Sequence, residues 1–519
     1  MKYFRFLLLL LFLPIFQVSS DNLERLESFY DEFMCEQKDE LYEAGLTSPC
    51  QQSRHRNPIF FPPPNPLPPP IFPHLTGHLP VVIVNDSGAP DSEVYITVTG
   101  KNKADGSKLA YVEFGANAVG TVVNASLGPP PLEGSSYAKA LTELLPSPGG
   151  YVFYLPYIES GLIWFSIRDK LTLTSVADPL QPGGIGIEQP NPTNTTDANY
   201  RTIWDIFEID FESAGPVIYA DATAVTQFNL PLYGYLSTPD ATSRNNCGLY
   251  QPRSYILEQA IELLNNQPLS NIWNRLIVEG TPSYSNSSII RYISPGKGIA
   301  AGTGSSNYFD KDYLDNAALG FSFIGAIWSD PGSFYRTNPL TMTVPIGSLE
   351  TYTGTIQGDN TIKFVSSPSG YEVVFAAPTP PATIPTSTTT FNILSGLPLF
   401  TSDTSGQDDG TQLSKLFGEA IIAGFIPTAT TISDPNVQST KLIFYTNNPN
   451  LAYDTSTTGP WYDVYSKSLH RLGFIYTYAF DDAKALWPEV QIFATSGNVH
   501  PADPINPTYI GITIGPLDY

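Results

Sequence analysis

From Leu79 to about Leu232 the chain alternates apolar and polar residues in short runs, as in LPVVIVND (79–86), SEVYITVTG (92–100) and YVFYLPYIESGLIWFSI (151–167), and Gly, Pro or Asn ends each run. A period of two puts successive side chains on opposite faces of an extended strand, so this stretch reads as sheet rather than helix. Turn residues are plentiful, with 40 Gly and 48 Pro, and only 14% of residues are charged, a mix that suits short strands joined by turns. The expected class is mainly β with an α/β part. At 42% hydrophobic residues, the chain has ample material for packed cores.

Other segments carry different textures. Residues 1–20 place Lys2 and Arg5 before an apolar run from Phe6 to Phe16 and close on Ser19 and Ser20, which reads as a signal peptide and predicts export, with no membrane span after cleavage. Residues 21–57 approximate the spacing of an amphipathic helix through Leu23, Leu26, Phe29, Tyr30 and Phe33. Residues 58–78 contain PIFFPPPNPLPPPIFP, too rich in proline for helix or interior strand, and read as an extended linker. The first β part is assigned to 79–242.

A mixed α/β domain is expected over 243–465, with Ile256, Leu257, Ala260, Ile261 and Leu264 on one helical face, a second such face at Leu413 to Ile421, and strands in RLIVEG and IIRYIS. Residues 466–519 return to strand texture and are expected to complete the β unit.

The net charge of −23 disfavours nucleic acid, because it repels phosphate and releases no counterions. Thirty Tyr, 29 Phe and six Trp supply flat faces of the kind on which sugars stack, although most are expected in cores. Cys35, Cys50 and Cys247 show no zinc spacing, and a Cys35–Cys50 bridge is compatible with an oxidising compartment. Neither a metal nor a cofactor is implied. Sequons stand at Asn85, Asn124, Asn194 and Asn286.

Acidic residues concentrate in WDIFEIDFESAGPVIYADATAVTQFNLPL (204–232), read as two strands around a turn at 213–216. Glu208 and Asp210 share a strand face, with carboxyl groups about 6 to 7 Å apart. Such a pair suits glycoside chemistry, in which one protonated carboxyl group protonates the leaving oxygen and a carboxylate about 6.5 to 9.5 Å away activates water. A solvated acidic strand face explains the pattern as well.

FEIDF followed by DATAVTQFNLP resembles the thaumatin-like signature, an E-F-T strand followed by D-V-S-x-V-D-G-F-N-L-P. LPVVIVND and SLHRLGFIYTYAFDDA add to the likeness, and the helical insertion with the WDxxE approach is similar to glycoside hydrolase family 64 over roughly 79–519. The resemblance implies a thaumatin-like β-barrel and an inserted α/β domain flanking a wide groove for β-1,3-glucan, with an inverting Glu/Asp pair. Glu208 falls on the cleft glutamate and general acid, and Asp221 on the aspartate that opens the second motif.

The family's base aspartate is replaced by Thr226, which cannot act as a general base, so Asp221 and Asp210 become the candidate replacements. Leu162 stands where an arginine is expected. Thr226, Trp204, Tyr219 and Phe228 are the candidate substrate contacts. His470 reads as structural, and Asp481–Asp482 as loop-fixing. The leading expectation is a secreted β-1,3-glucan hydrolase. The alternatives are a non-catalytic glucan or cell-wall binder that kept the groove, and a surface-interaction protein presented by the N-terminal helix and linker.

Overall fold

A computed structural model describes residues 75–126, 137–177, 184–212, 217–237, 246–300, 308–309, 351–375, 463–477 and 508–518, with short breaks at 107, 268–269, 285–286, 359–360 and 368. It also describes strands 340–343 and 492–494 and the single positions 394 and 413, all within the unit Pro63–Tyr519. The signal segment, the N-terminal helix, residues 58–74 of the proline-rich linker, Cys35, Cys50, Asn286, Asp481 and Asp482 lie outside the described residues, and the last linker position, His78, opens the first strand.

In chain order the first strands are β1 (His78–Asn85), β2 (Val94–Asn102), β3 (Lys108–Phe114), β4 (Gly120–Asn124), β5 (Ala138–Ala140), β6 (Leu145–Ser147), β7 (Gly150–Pro156) and β8 (Ile158–Ile167). Next come β9 (Thr174–Ala177), β10 (Ile185–Glu188), β11 (Ile203–Glu212), β12 (Val217–Thr223), β13 (Gln227–Phe228), β14 (Leu232–Ser237) and β15 (Asn246–Gly248). Helix α1 (Arg253–Asn265), β16 (Ile277–Glu279), β17 (Ile289–Ile293) and a meander of β18 (Leu340–Thr343), β19 (Thr351–Ile356), β20 (Ile362–Ser367) and β21 (Glu372–Phe375) follow. Helix α2 (Val464–His470), β22 (Ile492–Ala494) and β23 (Tyr509–Ile514) complete the set used below.

Two large sheets organise these strands. One has the order β15-β14-β23-β1-β7-β6, and the other β22-β12-β11-β8-β2-β3-β4, with β5 also on β2. Strand β23 pairs parallel with β1, from Val81 opposite Ile510 to Asn85 opposite Ile514, and antiparallel with β14, so the C-terminal residues lie in the centre of the first sheet.

The alternation in sequence explains the stacking. Val81, Ile83, Phe153 and Leu155 from the first sheet and Ile96, Val98, Ile163, Phe165, Phe207 and Ile209 from the second belong to one continuous core. Contact between the sheets is close enough that a Cβ on Gly234 would stand 2.5 Å from the Phe207 ring. A side chain there would force the sheets apart, at a cost of about 1 to 3 kcal/mol.

Both sheets keep two edge strands, so among the described residues there is no closed barrel where one was expected. An inward/outward alternation is satisfied equally by a barrel and by two stacked sheets, and sequence period alone does not choose between them. Helix α1 does bury Ile256, Leu257, Ala260 and Leu264 on the face read from its spacing, while Ile261 is only partly buried. The RLIVEG and IIRYIS segments form β16 and β17. The antiparallel meander β18 to β21 was not read from sequence.

Candidate active site

The site begins with parity on β11. Phe207, Ile209 and Phe211 point into the shared core, so Trp204, Ile206, Glu208, Asp210 and Glu212 fall on the opposite, outer face of the second sheet. Antiparallel pairing with β12 puts Asp221 directly across from Glu208, Tyr219 across from Asp210 and Thr223 across from Ile206. Directly opposed side chains on one face have Cβ atoms about 4.5 to 5.5 Å apart. On the other side, β8 sets Leu162 opposite Glu208. The two acids that the sequence reading placed thirteen residues apart are therefore cross-strand neighbours.

The surroundings of Glu208 are mostly apolar. Ile206, Leu162, Trp164 and Trp204 belong to one cluster beside it, with Tyr111, Tyr137, Leu171 and Leu173 covering them. Burial pushes the Glu208 carboxyl group above the usual carboxylate range; a hydrogen bond from the Thr223 hydroxyl works against that rise, and the charge of Asp210 adds to it. Asp210 is also raised by burial, opposed by the backbone N–H of Ser160, which donates to its Oδ1.

That donor exists because β8 is irregular at this point. Ser160 has a left-handed φ of 47°, and the pairing of β8 shifts register against both β11 and β2 around it. A bulge of this kind removes one residue from the ladder and re-aims its N–H. The next residue must be small, since a Cβ on Gly161 would stand 2.5 Å from the Ile209 carbonyl oxygen. Beyond Asp210 the face turns fully polar, where Lys103 pairs with Glu212 at 2.6 Å.

Of the residues singled out by sequence, Glu208, Asp210, Asp221 and Tyr219 come together on this face. Glu208, Asp210 and Tyr219 are partly exposed, and Asp221 is buried. Trp204 and Phe228 do not line an open surface. Trp204 is 1% exposed beneath the Leu171–Leu173 cover and packs against Trp164 at 5.7 Å, and Phe228 is fully buried in the main core. Both are core aromatics: Phe228 points into the main core, and Trp204, on the outer face, is covered by the Leu171–Leu173 segment. Thr226 lies in the link between β12 and β13, where its carbonyl accepts from the Ser294 N–H.

Asp205, counted among the acidic cluster, turns inward. Its Oδ2 accepts from the N–H groups of Asn229 and Leu230, both at 2.6 Å. Burial pushes its carboxyl group up to about 7 despite those donors and the nearby Arg291. Arg291 donates to Gln227 Oε1 at 2.8 Å, Gln227 donates to the Trp204 carbonyl, and Arg253 donates to the Asn229 carbonyl at 2.6 Å. This buried polar network, missed from sequence, locks the segment 227–230 under the sheet.

His470 is buried at the end of α2, with Nε2 donating to the Ile475 carbonyl at 3.0 Å, and so holds the turn into residues 475–477. The backbone of Tyr476 then bonds both Ala222 and Ala224, bracketing Thr223. Among the described residues no group of three or more His, Cys, Asp or Glu could hold a metal ion.

Two stacked β sheets with a carboxyl pair on an outer face are compatible with glycoside chemistry. The chain belongs to glycoside hydrolase family 64: the family model described as β-1,3-glucanase matches residues 77–510. Solved structures agree in fold. A β-1,3-glucanase domain from Clostridium beijerinckii is similar at TM-score 0.59 and 17% identity, over 85% of this chain and 99% of that one. A laminaripentaose-producing β-1,3-glucanase in complex with laminaritetraose is similar at TM-score 0.55 and 17% identity, over 86% of this chain and all of the other. No match was found among curated protein sequences.

Proposed function

We propose that this protein is an exported β-1,3-glucan hydrolase that cleaves with inversion, using Glu208 as general acid and Asp221 as general base. The observation that carries the pairing of these two residues is the register of β11 and β12, which sets Asp221 directly across from Glu208 on the outer sheet face; inversion is carried over from the family resemblance. Burial against the apolar wall of Leu162 and Ile206 raises the proton affinity of Glu208, the direction a general acid requires. In the cleavage step the Glu208 proton passes to the glycosidic oxygen as its bond to the anomeric carbon breaks. Water attacks that carbon from the opposite face and gives its proton to Asp221. Glu208 ends ionised, Asp221 protonated, and two shorter glucans leave.

Tyr219, partly exposed opposite Asp210, offers a ring for a sugar to stack on. Export follows from the N-terminal signal reading. A thaumatin-like fold of two stacked sheets with an inserted α/β domain flanking a groove is the architecture we infer, on the resemblance around FEIDF and FNLP. Thr226 takes the place of the base aspartate in that resemblance, and Asp221, earlier in the same segment on β12, supplies the missing carboxylate.

The test is incubation with laminarin, following reducing ends and glucan pull-down for the wild type, Glu208→Gln, Asp221→Asn, Asp210→Asn and Thr226→Asp. The reading expects release by the wild type, a fall of about 10² to 10⁴ in Glu208→Gln and Asp221→Asn, and a smaller fall in Asp210→Asn. A severe loss in Asp210→Asn with Asp221→Asn near wild type would transfer the base to Asp210. Binding without release, with activity appearing only in Thr226→Asp, would replace the enzyme by a glucan-binding protein.

A further inference from the structure

We infer that Thr223 is a positioning residue for Glu208, its hydroxyl group selecting which carboxyl oxygen faces the open side of the sheet. The inference rests on the assignment of Glu208 as general acid. Three observations support it. Thr223 is on the outer face of β12, diagonal to Glu208, because it pairs with Ile206 while Asp221 pairs with Glu208. Its hydroxyl donates to the Glu208 carboxyl group.

The Val225 N–H approaches Thr223 Oγ1 at 3.4 Å. A hydroxyl has one hydrogen, and an oxygen that accepts from behind leaves that hydrogen for the partner in front.

The backbone of Thr223 is held as firmly as its side chain. The Ala224 N–H donates to the Tyr476 carbonyl at 2.7 Å, and the Tyr476 N–H donates to the Ala222 carbonyl at 2.9 Å. Thr223 itself is 8% exposed. A buried donor fixed on both sides cannot follow Glu208 if the carboxyl group rotates, so the carboxyl group must orient to it. One Glu208 oxygen accepts from Thr223, and the other is left to carry the proton toward the glycosidic oxygen. A near-attack geometry of this sort is set by the neighbours of the acid rather than by the acid alone.

Among the described residues, the charged and titratable groups on the Glu208 face are Asp210 and, beyond it, Glu212 on the same strand, with Glu159 and Lys103 beside them, and Asp221 and Tyr219 on β12. From β8 Glu208 meets Leu162, which carries no charge. A donated hydrogen bond favours the ionised carboxylate. Removing it therefore raises the pH at which Glu208 loses its proton, and the alkaline limb of the kcat profile moves up with it.

The experiment compares wild type, Thr223→Val, Thr223→Ser and Glu208→Gln. The Glu208 carboxyl band is identified by infrared difference titration as the one absent in Glu208→Gln, and thermal unfolding confirms that each variant is folded. In Thr223→Val we expect the titration midpoint to rise by about one unit and kcat on laminarin to fall about 10- to 100-fold with KM little changed. Thr223→Ser, which keeps the hydroxyl, should stay near wild type in both.

An unchanged midpoint and kcat in Thr223→Val would overturn the inference. So would a loss in Thr223→Ser as large as in Thr223→Val, since that would trace the effect to the lost methyl group. The infrared midpoint needs no turnover. If Glu208→Gln hydrolyses laminarin undiminished, the assignment of the acid fails while the midpoint still decides whether Thr223 holds Glu208.

Discussion

Asp205 and Glu208 stand three residues apart on β11, and burial raises the carboxyl pKa of both, yet they face opposite sides of the sheet. Asp205 looks inward to two backbone N–H groups, with the guanidinium of Arg291 nearby. Glu208 looks outward to one side-chain hydroxyl, an apolar wall and a second carboxylate. Fixed backbone donors immobilise a carboxylate and tie the fold to it. A single hydroxyl and partial exposure leave a carboxyl group oriented yet able to exchange its proton. Strand parity, rather than acidity, decides which of the two reaches the outer face.

The comparison breaks most visibly in stability. Asp205→Ala strands two buried backbone N–H groups and leaves Arg291 without its nearest carboxylate, so urea denaturation should show a loss of about 3 to 5 kcal/mol. Glu208→Ala should cost about 1 kcal/mol in the same measurement, because it leaves one side-chain hydroxyl rather than two backbone N–H groups without a partner. Equal losses would mean that the two carboxylates do the same structural work.

A pH series sharpens the contrast. The folded pKa of Asp205, at about 7, lies above its value in the unfolded chain. Its contribution to stability is therefore complete below about pH 4 and is lost as pH rises through 7. Unfolding free energy should decline over that window by a few kcal/mol, and Asp205→Asn should flatten the slope. A slope unchanged in Asp205→Asn would assign it to other groups.

The smallest effect concerns the wall of the reactive acid. Leu162→Lys places a cation across the strand from Glu208. It should lower the pH at which Glu208 ionises by about one unit, moving the alkaline limb of the activity profile down while leaving stability nearly unchanged. A limb that stays in place would show that the wall does not set the proton affinity.

Much of this arrangement was legible in the sequence. The period-two runs gave β1, β2, β7 and β8, and FEIDF with its downstream motif brought out Glu208 and Asp221. What escaped depends on layers that meet only in the fold. Asp205 counted with the acidic cluster until parity turned it inward. Trp204 shares the outer face with Glu208, but the Leu171–Leu173 segment, distant in sequence, covers it.

Thr223 looks like any strand threonine until the β11–β12 register makes it diagonal to Glu208. Arg253 follows Gln-Pro at the start of α1 and Arg291 is the lone charge in IIRYIS, positions that read as surface arginines, yet both are fully buried. The closed barrel implied by the resemblance gives way, among the described residues, to two stacked sheets, and the period-two alternation serves both.

The most direct test of the central claim is proton NMR of laminarin during the first minutes of cleavage. A Glu208 acid working across from an Asp221 base should release α-anomeric reducing ends first, and Glu208→Gln should release almost none. Initial β-anomers, or undiminished release by Glu208→Gln, would contradict it.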